Sequence, residues 1–166
     1  MNPQWFGDSY DIVKRYFIEN LKAIGYHVVF DPMLTGGWNG LEENFYHFLG
    51  ASPIGEASSK KSALLIDPDT GISKKRTKQH VTIAIIATHL QNHEVVFSFD
   101  QSFSRADSTT EKMKEKLGWL EETGNVGFYY DSHARFLFAA NSSENLNAVE
   151  QQLLSSGLPA SRLFKL

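Results

Sequence analysis

Four stretches of this chain share one pattern, an apolar and aromatic run that ends in an aspartate. They are residues 26–31, 63–67, 95–100 and 127–131. Short apolar runs bounded by turn residues are typical of buried β-strands. If such strands lie parallel, their carboxyl ends share one edge of a sheet, and open α/β sheets bind ligands at that edge. The pattern therefore predicts a fold and places up to four carboxylates around one crevice.

The composition is that of a globular chain with a substantial core. The chain has 166 residues, 42% of them hydrophobic, so we expect a single domain over residues 1–166. It contains no cysteine, which excludes disulfides, thiolate zinc sites and a cysteine nucleophile, and fits a cytoplasmic location. No apolar run approaches membrane-spanning length, so we expect no membrane partner.

Helical periodicity fills the intervals between the expected strands. It predicts helices over residues 9–24, 41–49 and 144–154, and a further helix opening at the capping box of residues 108–111. Residues 51–62 are rich in serine, glycine and lysine and are predicted to form a loop.

One interval is ambiguous. Residues 81–86 look β-like by composition, whereas a helix within residues 74–90 would supply the crossover that parallel strands need. We predict the helix.

The chain then closes on a hairpin of residues 127–130 and 135–140, joined by residues 131–134. The whole order predicts an α/β fold with a mostly parallel sheet of about five strands, helices on both faces and a C-terminal antiparallel hairpin. The first strand is expected to be an exposed edge. Because exposed edges are often covered or paired, a homodimer is a reasonable expectation.

Three segments carry a resemblance to a known family. Residues 7–15 are similar to the opening Gly-Asn-x-x-Asp-Val-Leu-Lys-His helix of the large-subunit rRNA adenine-N6 methyltransferases. Residues 31–37 lie where that family has Asp-x-x-x-Gly-x-Gly, and Asp67-Pro68 lies where it has Asp-Pro-Pro-Tyr, with Asp69 and Thr70 at its last two positions. The element order likewise resembles the Rossmann-like methyltransferase fold.

The resemblance implies a protein that binds S-adenosylmethionine or a related nucleoside and acts on nucleic acid. It implies that the crevice is formed by Asp31, Gly36, Gly37, Asp67 and Asp100.

Residues 67–71 are the most site-like stretch. Asp67 and Asp69 lie on a turn after a buried strand, so both can face the crevice as catalytic carboxylates. Hard cations such as Mg²⁺ prefer oxygen ligands. An alternative function is therefore a magnesium-dependent phosphoesterase or nuclease, with the metal held by Asp31, Asp67, Asp69 and Asp100. The stretch can also be an ordinary strand-to-helix turn.

Two further candidates lie after the later strands. Asp100 is followed by Ser102 and Arg105, which could hold a phosphate or a carboxylate, although the same residues can form a polar loop in which Asp100 and Arg105 pair. His133 is a candidate acid–base group that Asp131 could orient, although Asp-Ser-His is also common turn chemistry.

Basic residues cluster around the 67–71 stretch although the net charge is −3. They are Lys60, Lys61, Lys74, Lys75, Arg76 and Lys78. Such a frame suits a nucleotide or another phosphate-bearing ligand, or it is simply a solvated loop. A third hypothesis is a non-catalytic module that binds a nucleotide or a protein partner.

Overall fold

The computed structural model describes residues 1–55, 61–103 and 108–166. Within these ranges the helices are α1 (Ser9–Ala23), α2 (Glu42–Leu49), α3 (Ile83–His89), α4 (Thr109–Glu121) and α5 (Ser143–Ser155). The strands are β1 (His27–Asp31), β2 (Ser52–Pro53), β3 (Ser62–Ile66), β4 (Gly71–Ile72), β5 (His80–Val81), β6 (Val95–Phe99), β7 (Val126–Tyr130), β8 (Phe136–Ala140) and β9 (Leu163–Phe164).

Seven of these strands form one sheet in the order β2-β1-β3-β6-β8-β7-β9. The first four run parallel, β8 runs antiparallel to both of its neighbours, and β9 is antiparallel to β7. The predicted α/β class, with a mostly parallel sheet and antiparallel C-terminal strands, is confirmed. The sheet has seven strands and not the predicted five or so, because β2 and β9 each add one strand at an edge. Both have only two residues, and strands that short carry no periodic signal in the sequence.

The sheet is covered on both faces, as predicted. Successive residues of a strand point to opposite faces, so Ala63 and Leu65 pack with α1, α2 and α5, while Leu64 and Ile66 pack with α3 and α4. This explains why the strands read as continuous apolar runs instead of alternating ones.

Local sequence signals set the two ends of helix α1. The side chain of Asp8 accepts hydrogen bonds from the backbone N–H groups of Tyr10 and Asp11 at the first turn. Gly25, just past the last turn, has a φ of +90°, a conformation that favours glycine. The cap matters for function because the first turn of α1 borders the cleft described below.

Two predictions require correction. The stretch 51–62 is not a loop throughout, because β2 pairs in parallel with Val29 and Phe30 of β1, so β1 is not the outermost strand. The homodimer expectation relied on that exposed edge and stays a prediction. The helix predicted within residues 74–90 begins only at Ile83, where Thr82 caps it, and the preceding residues include the short strand β5.

Among the described residues, no helix is both long and apolar enough to cross a membrane.

Candidate functional site

A cleft of about 570 Å³ opens where β3 and β6 end, against the first turn of α1. Small-molecule sites in proteins typically have volumes of about 300–1,000 Å³. The predicted stretch after β3 lines it, including Asp67, Pro68 and Asp69. Two backbone hydrogen bonds fix this stretch: Thr70 N donates to the carbonyl of Gln79 (3.0 Å), and Gln101 N donates to the carbonyl of Thr70 (2.9 Å).

A buried ion triad forms the floor of the cleft. The Lys14 ammonium lies 2.6 Å from Asp67 Oδ2 and 2.8 Å from Asp11 Oδ1, and all three side chains are at most 3% exposed. Burial alone lowers the pKa of Lys14, but the Asp67 and Asp11 carboxylates outweigh it, so the pKa of Lys14 is raised. Burial raises the pKa of Asp67 although Lys14 opposes the effect.

Above the triad, four oxygen atoms converge on the N-terminal ammonium of Met1. It donates to the carbonyl oxygens of Pro32 and Met33, both at 3.0 Å, and to that of Asp67 at 3.5 Å. Its fourth partner is Asp69 Oδ1, at 2.7 Å. Thr35 Oγ1 donates to the other carboxylate oxygen of Asp69 and so fixes its orientation (2.5 Å). We call these four atoms the oxygen cage.

The predicted cofactor loop after β1 wraps around the first residues of the chain. The Met1 carbonyl accepts hydrogen bonds from Thr35 N (2.9 Å) and from the indole of Trp38 (3.2 Å). Gly36 has a φ of +75°, and a side chain there would meet Pro3 at 3.5 Å.

Asp31 and Gly37, which were predicted to bind the cofactor together with Gly36, also lie at this loop. Asp31 ends β1, and its Oδ1 accepts a hydrogen bond from Met33 N (3.0 Å). Gly37 lies beside the Asn39 side chain.

The walls of the cleft combine aromatic rings with amides. Trp5 is 56% exposed and lines the cleft together with Tyr10 and Phe99. Four amide side chains also line it: Asn2, Gln4, Gln79 and Gln101. Aromatic faces stack on planar rings, and amides supply both donors and acceptors to a ring edge.

His133 lies at the margin of this cleft. Its ring stacks on that of Tyr10 (centroids 6.0 Å apart, 25° between planes), and its carbonyl accepts a hydrogen bond from the Gln101 amide. Asp131 instead contacts Arg135, whose Nε donates to Asp131 Oδ1 at 3.0 Å. The imidazole is therefore positioned by an aromatic ring.

Asp100 lies in a second polar cluster, on the side of the sheet that faces α4. Its carboxylate is fully buried and accepts hydrogen bonds from Lys116 Nζ (2.7 Å), from the Tyr129 hydroxyl (2.8 Å) and from Ile72 N (2.9 Å). Ser102 donates to the same carboxylate through both its N–H and its hydroxyl. Burial, and then Asp100, raise the pKa of Tyr129 well above its ordinary value.

The structure thus brings together part of the predicted site. Asp67 and Asp69 line the cleft and His133 borders it, whereas Asp31, Asp100 and Ser102 are not among the described residues of its walls. Arg105 and Lys60 lie outside the described residues. No group of three or more His, Asp or Glu side chains within the described ranges is placed to hold a metal ion, and the magnesium alternative stays a prediction.

Sequence reasoning missed Lys14, Trp5 and the Met1 ammonium. A signal existed for Lys14, because it lies on the same helical face as Phe17, Ile18 and Leu21, where a lysine is expected only with buried partners. Periodicity could not find the contacts of the Met1 ammonium, which join residues 31 to 68 positions apart in the chain.

Comparison of the chain with protein-family models, with curated proteins and with solved structures gives no match.

Proposed function

We propose that the cleft binds S-adenosylmethionine or a related nucleoside that carries a primary ammonium group. The observation that carries the proposal is the oxygen cage, two of whose residues, Asp67 and Asp69, line the same cleft as exposed aromatic and amide side chains. A ligand with an α-ammonium at one end and a planar base at the other matches both halves of that cleft.

The cage has the chemistry of an ammonium site. An ammonium has three donors and no acceptor, and here carbonyl oxygens and one carboxylate supply only acceptors. Asp69 is 19% exposed, so the charged hydrogen bond is partly shielded from water. In this proposal the ammonium of the ligand replaces that of Met1 at these four atoms.

The other half of the cleft suits a nucleobase. The exposed ring of Trp5 and the ring of Tyr10, which both line the cleft, offer faces for stacking, and Gln79 and Gln101 offer hydrogen bonds to a base edge. Asp8, which lines the cleft and caps α1, retains acceptor capacity for the hydroxyl groups of a ribose.

The place of the oxygen cage in the sheet supports the same proposal. From β1 the chain passes outward to β2 and then returns across β1 to β3, so the strand order reverses between β1 and β3. Ligands of open α/β sheets bind outside the carboxyl ends of the strands at such a point. The cage consists of residues that directly follow β1 and β3. The reversed strand β8 between β6 and β7 also fits the methyltransferase-like resemblance of the sequence.

S-adenosylmethionine supplies an activated methyl group when it is bound. In this chain the cage would orient its ammonium, and Trp5 and Tyr10 would exclude water from its ring. Nucleic acid as the methyl acceptor is part of the proposal, since the resemblance implies it.

Isothermal titration calorimetry with two ligands tests the proposal. S-adenosylmethionine has the α-ammonium, whereas methylthioadenosine has the same nucleoside and lacks the amino-acid part. We expect Asp69→Asn to weaken binding of S-adenosylmethionine about 10-fold to 100-fold, the effect of losing a charged hydrogen bond. The same variant should leave the affinity for methylthioadenosine unchanged.

Trp5→Ala is the matched variant for the other half of the cleft, and it should weaken both ligands alike. If the wild-type protein binds neither compound, or if Asp69→Asn weakens both equally, the proposed function is wrong.

A further inference from the structure

Three cations that have no carboxylate partner among the described residues lie together in one loop. Lysine or arginine occupies four of the five positions 74–78, between β4 and β5, and we call this segment the basic loop. Lys75, Arg76 and Lys78 are exposed and have no carboxylate partner among the described residues. In contrast, the following lysines are each paired with a carboxylate: Lys14, Lys22, Lys74, Lys112, Lys114, Lys116 and Lys165.

The basic loop has a defined backbone. Ser73 N donates to the carbonyl of Val81 (2.9 Å), and Thr77 N donates to that of His80 (3.3 Å). The Ser73 hydroxyl donates to the Lys75 carbonyl (2.5 Å), and Gln79 N donates to the Thr77 hydroxyl (3.1 Å). Cations on an ordered loop lose less conformational freedom when they bind a repeating array of charges.

The basic loop is joined directly to the cleft. Gln79, the residue after it, lines the cleft and accepts the hydrogen bond of Thr70 N at 3.0 Å. On the other side Lys74 lies 3.4 Å from Glu115 and 4.8 Å from the centre of the Trp119 ring. The row of charge therefore runs from α4 towards the cleft.

We propose that the basic loop binds the phosphate backbone of a single-stranded nucleic acid beside the cleft. Exposed cations of one sign, gathered in a chain of net charge −3, bind a polyanion and gain by release of its counterions. When no nucleoside occupies the adjoining cleft, the exposed ring of Trp5 suits an unstacked base, which only a single strand offers.

Fluorescence anisotropy with a labelled homopolymeric RNA strand, measured across a series of salt concentrations, tests the proposal. The test variant is the triple substitution Lys75→Gln, Arg76→Gln and Lys78→Gln. The matched control is Lys22→Gln, Lys114→Gln and Lys165→Gln. It also removes three positive charges, but from lysines that have carboxylate partners.

We expect the test variant to bind RNA at least about 10-fold more weakly than wild type near physiological salt. The slope of log K against log salt should become shallower by about 2, which corresponds to three lost phosphate contacts on a single strand. The control should stay within about 3-fold of wild type, because its lysines do not face the strand. Circular dichroism should show that both variants are folded.

Three results would overturn the proposal: no binding of RNA by the wild-type protein at low salt, equal losses in the two triple variants, or tighter binding of duplex or heparin than of the single strand. The inference does not depend on the nucleoside proposal, because RNA binding is measured without that ligand. A protein that binds RNA and not S-adenosylmethionine would retain the basic loop's role and lose the proposed function.

Discussion

Buried charges in this protein are each held by several partners. Asp67 and Asp11 share Lys14 beneath the cleft, and Asp100 is held by Lys116 together with a hydroxyl and backbone donors. Removing a charge from water costs several kcal/mol, and only close opposite charges and hydrogen bonds offset that cost. Truncating one member therefore leaves the others buried without compensation.

At the residue scale, Lys14→Met tests this reasoning. It leaves two carboxylates in an apolar site, so we expect the free energy of unfolding to fall by about 3–5 kcal/mol. Lys22→Met on the same helix removes only a partly exposed pair with Glu19 and should cost less than about 1 kcal/mol. Urea unfolding followed by circular dichroism measures both, and equal losses would contradict the triad's role.

Individual site residues were predictable from the sequence where they directly follow a predicted strand or lie in a predicted turn. Asp67 and Asp69 follow an apolar run directly, and His133 lies in a hairpin turn. The partners that give them their environment come from distant positions, as Lys14 does for Asp67 over 53 residues. A contact of that kind follows from the packing of α1 on the sheet, which local patterns do not specify.

At the scale of elements, β4 crosses the end of β6 at very close range. Gly71 has a φ of +131°, and a Cβ on it would lie 2.3 Å from Asp100 Oδ1 and 2.8 Å from Gln101 N. Only glycine permits this approach, which lets Ile72 N reach the Asp100 carboxylate and places Gln101 at the cleft.

Gly71→Ala should therefore lower the free energy of unfolding by at least about 2 kcal/mol, through overpacking and backbone strain together. Gly118→Ala is the control, because a Cβ there meets nothing within 4 Å and the residue lies within α4. Alanine is the better helix former, so Gly118→Ala should stabilise the protein by up to about 1 kcal/mol. Thermal and urea unfolding compare the two. A tolerated Gly71→Ala would mean that the junction is looser than described.

Elements of five or more residues were predictable and shorter ones were not. The serine cap of α4 and the apolar positions Met113, Leu117 and Leu120 were readable from their spacing. Strands β4, β5 and β9 have two residues each and form only because neighbouring segments present backbone partners. Their existence is a property of the assembled fold and not of the local sequence, and β4 and β5 pair with each other in a separate two-stranded sheet.

At the scale of the whole molecule, burial of Tyr129 links stability to alkaline pH. Its pKa lies well above the ordinary value of 10.0, so the unfolded chain releases this proton at a pH where the folded protein keeps it. The stabilising contribution is present below pH 10 and is lost as pH rises above it. The pKa of Lys14 is also raised, so its contribution to the free energy of unfolding likewise falls as pH rises above the ordinary value of 10.5. Burial lowers the pKa of Lys116, so its contribution to the free energy of unfolding rises with pH below 10.5 and opposes the other two.

We expect the free energy of unfolding to fall above pH 10, with Tyr129 contributing up to about 1.4 kcal/mol per pH unit. Tyr129→Phe removes this proton, so its stability should change less steeply with pH than that of wild type. Urea unfolding at a series of alkaline pH values measures the two slopes. Identical slopes would show that Tyr129 ionises as freely in the folded protein as in the unfolded chain.

The unequal surroundings of the three tryptophans give the protein a built-in optical reporter. Trp38 is 3% exposed, Trp119 is half-buried, and Trp5 is 56% exposed at the mouth of the cleft. An aqueous quencher therefore reaches Trp5 far more readily than Trp38. A molecule that settles on Trp5 changes the red-shifted part of the emission and leaves the contribution of Trp38 in place, so occupancy can be followed without attaching a dye.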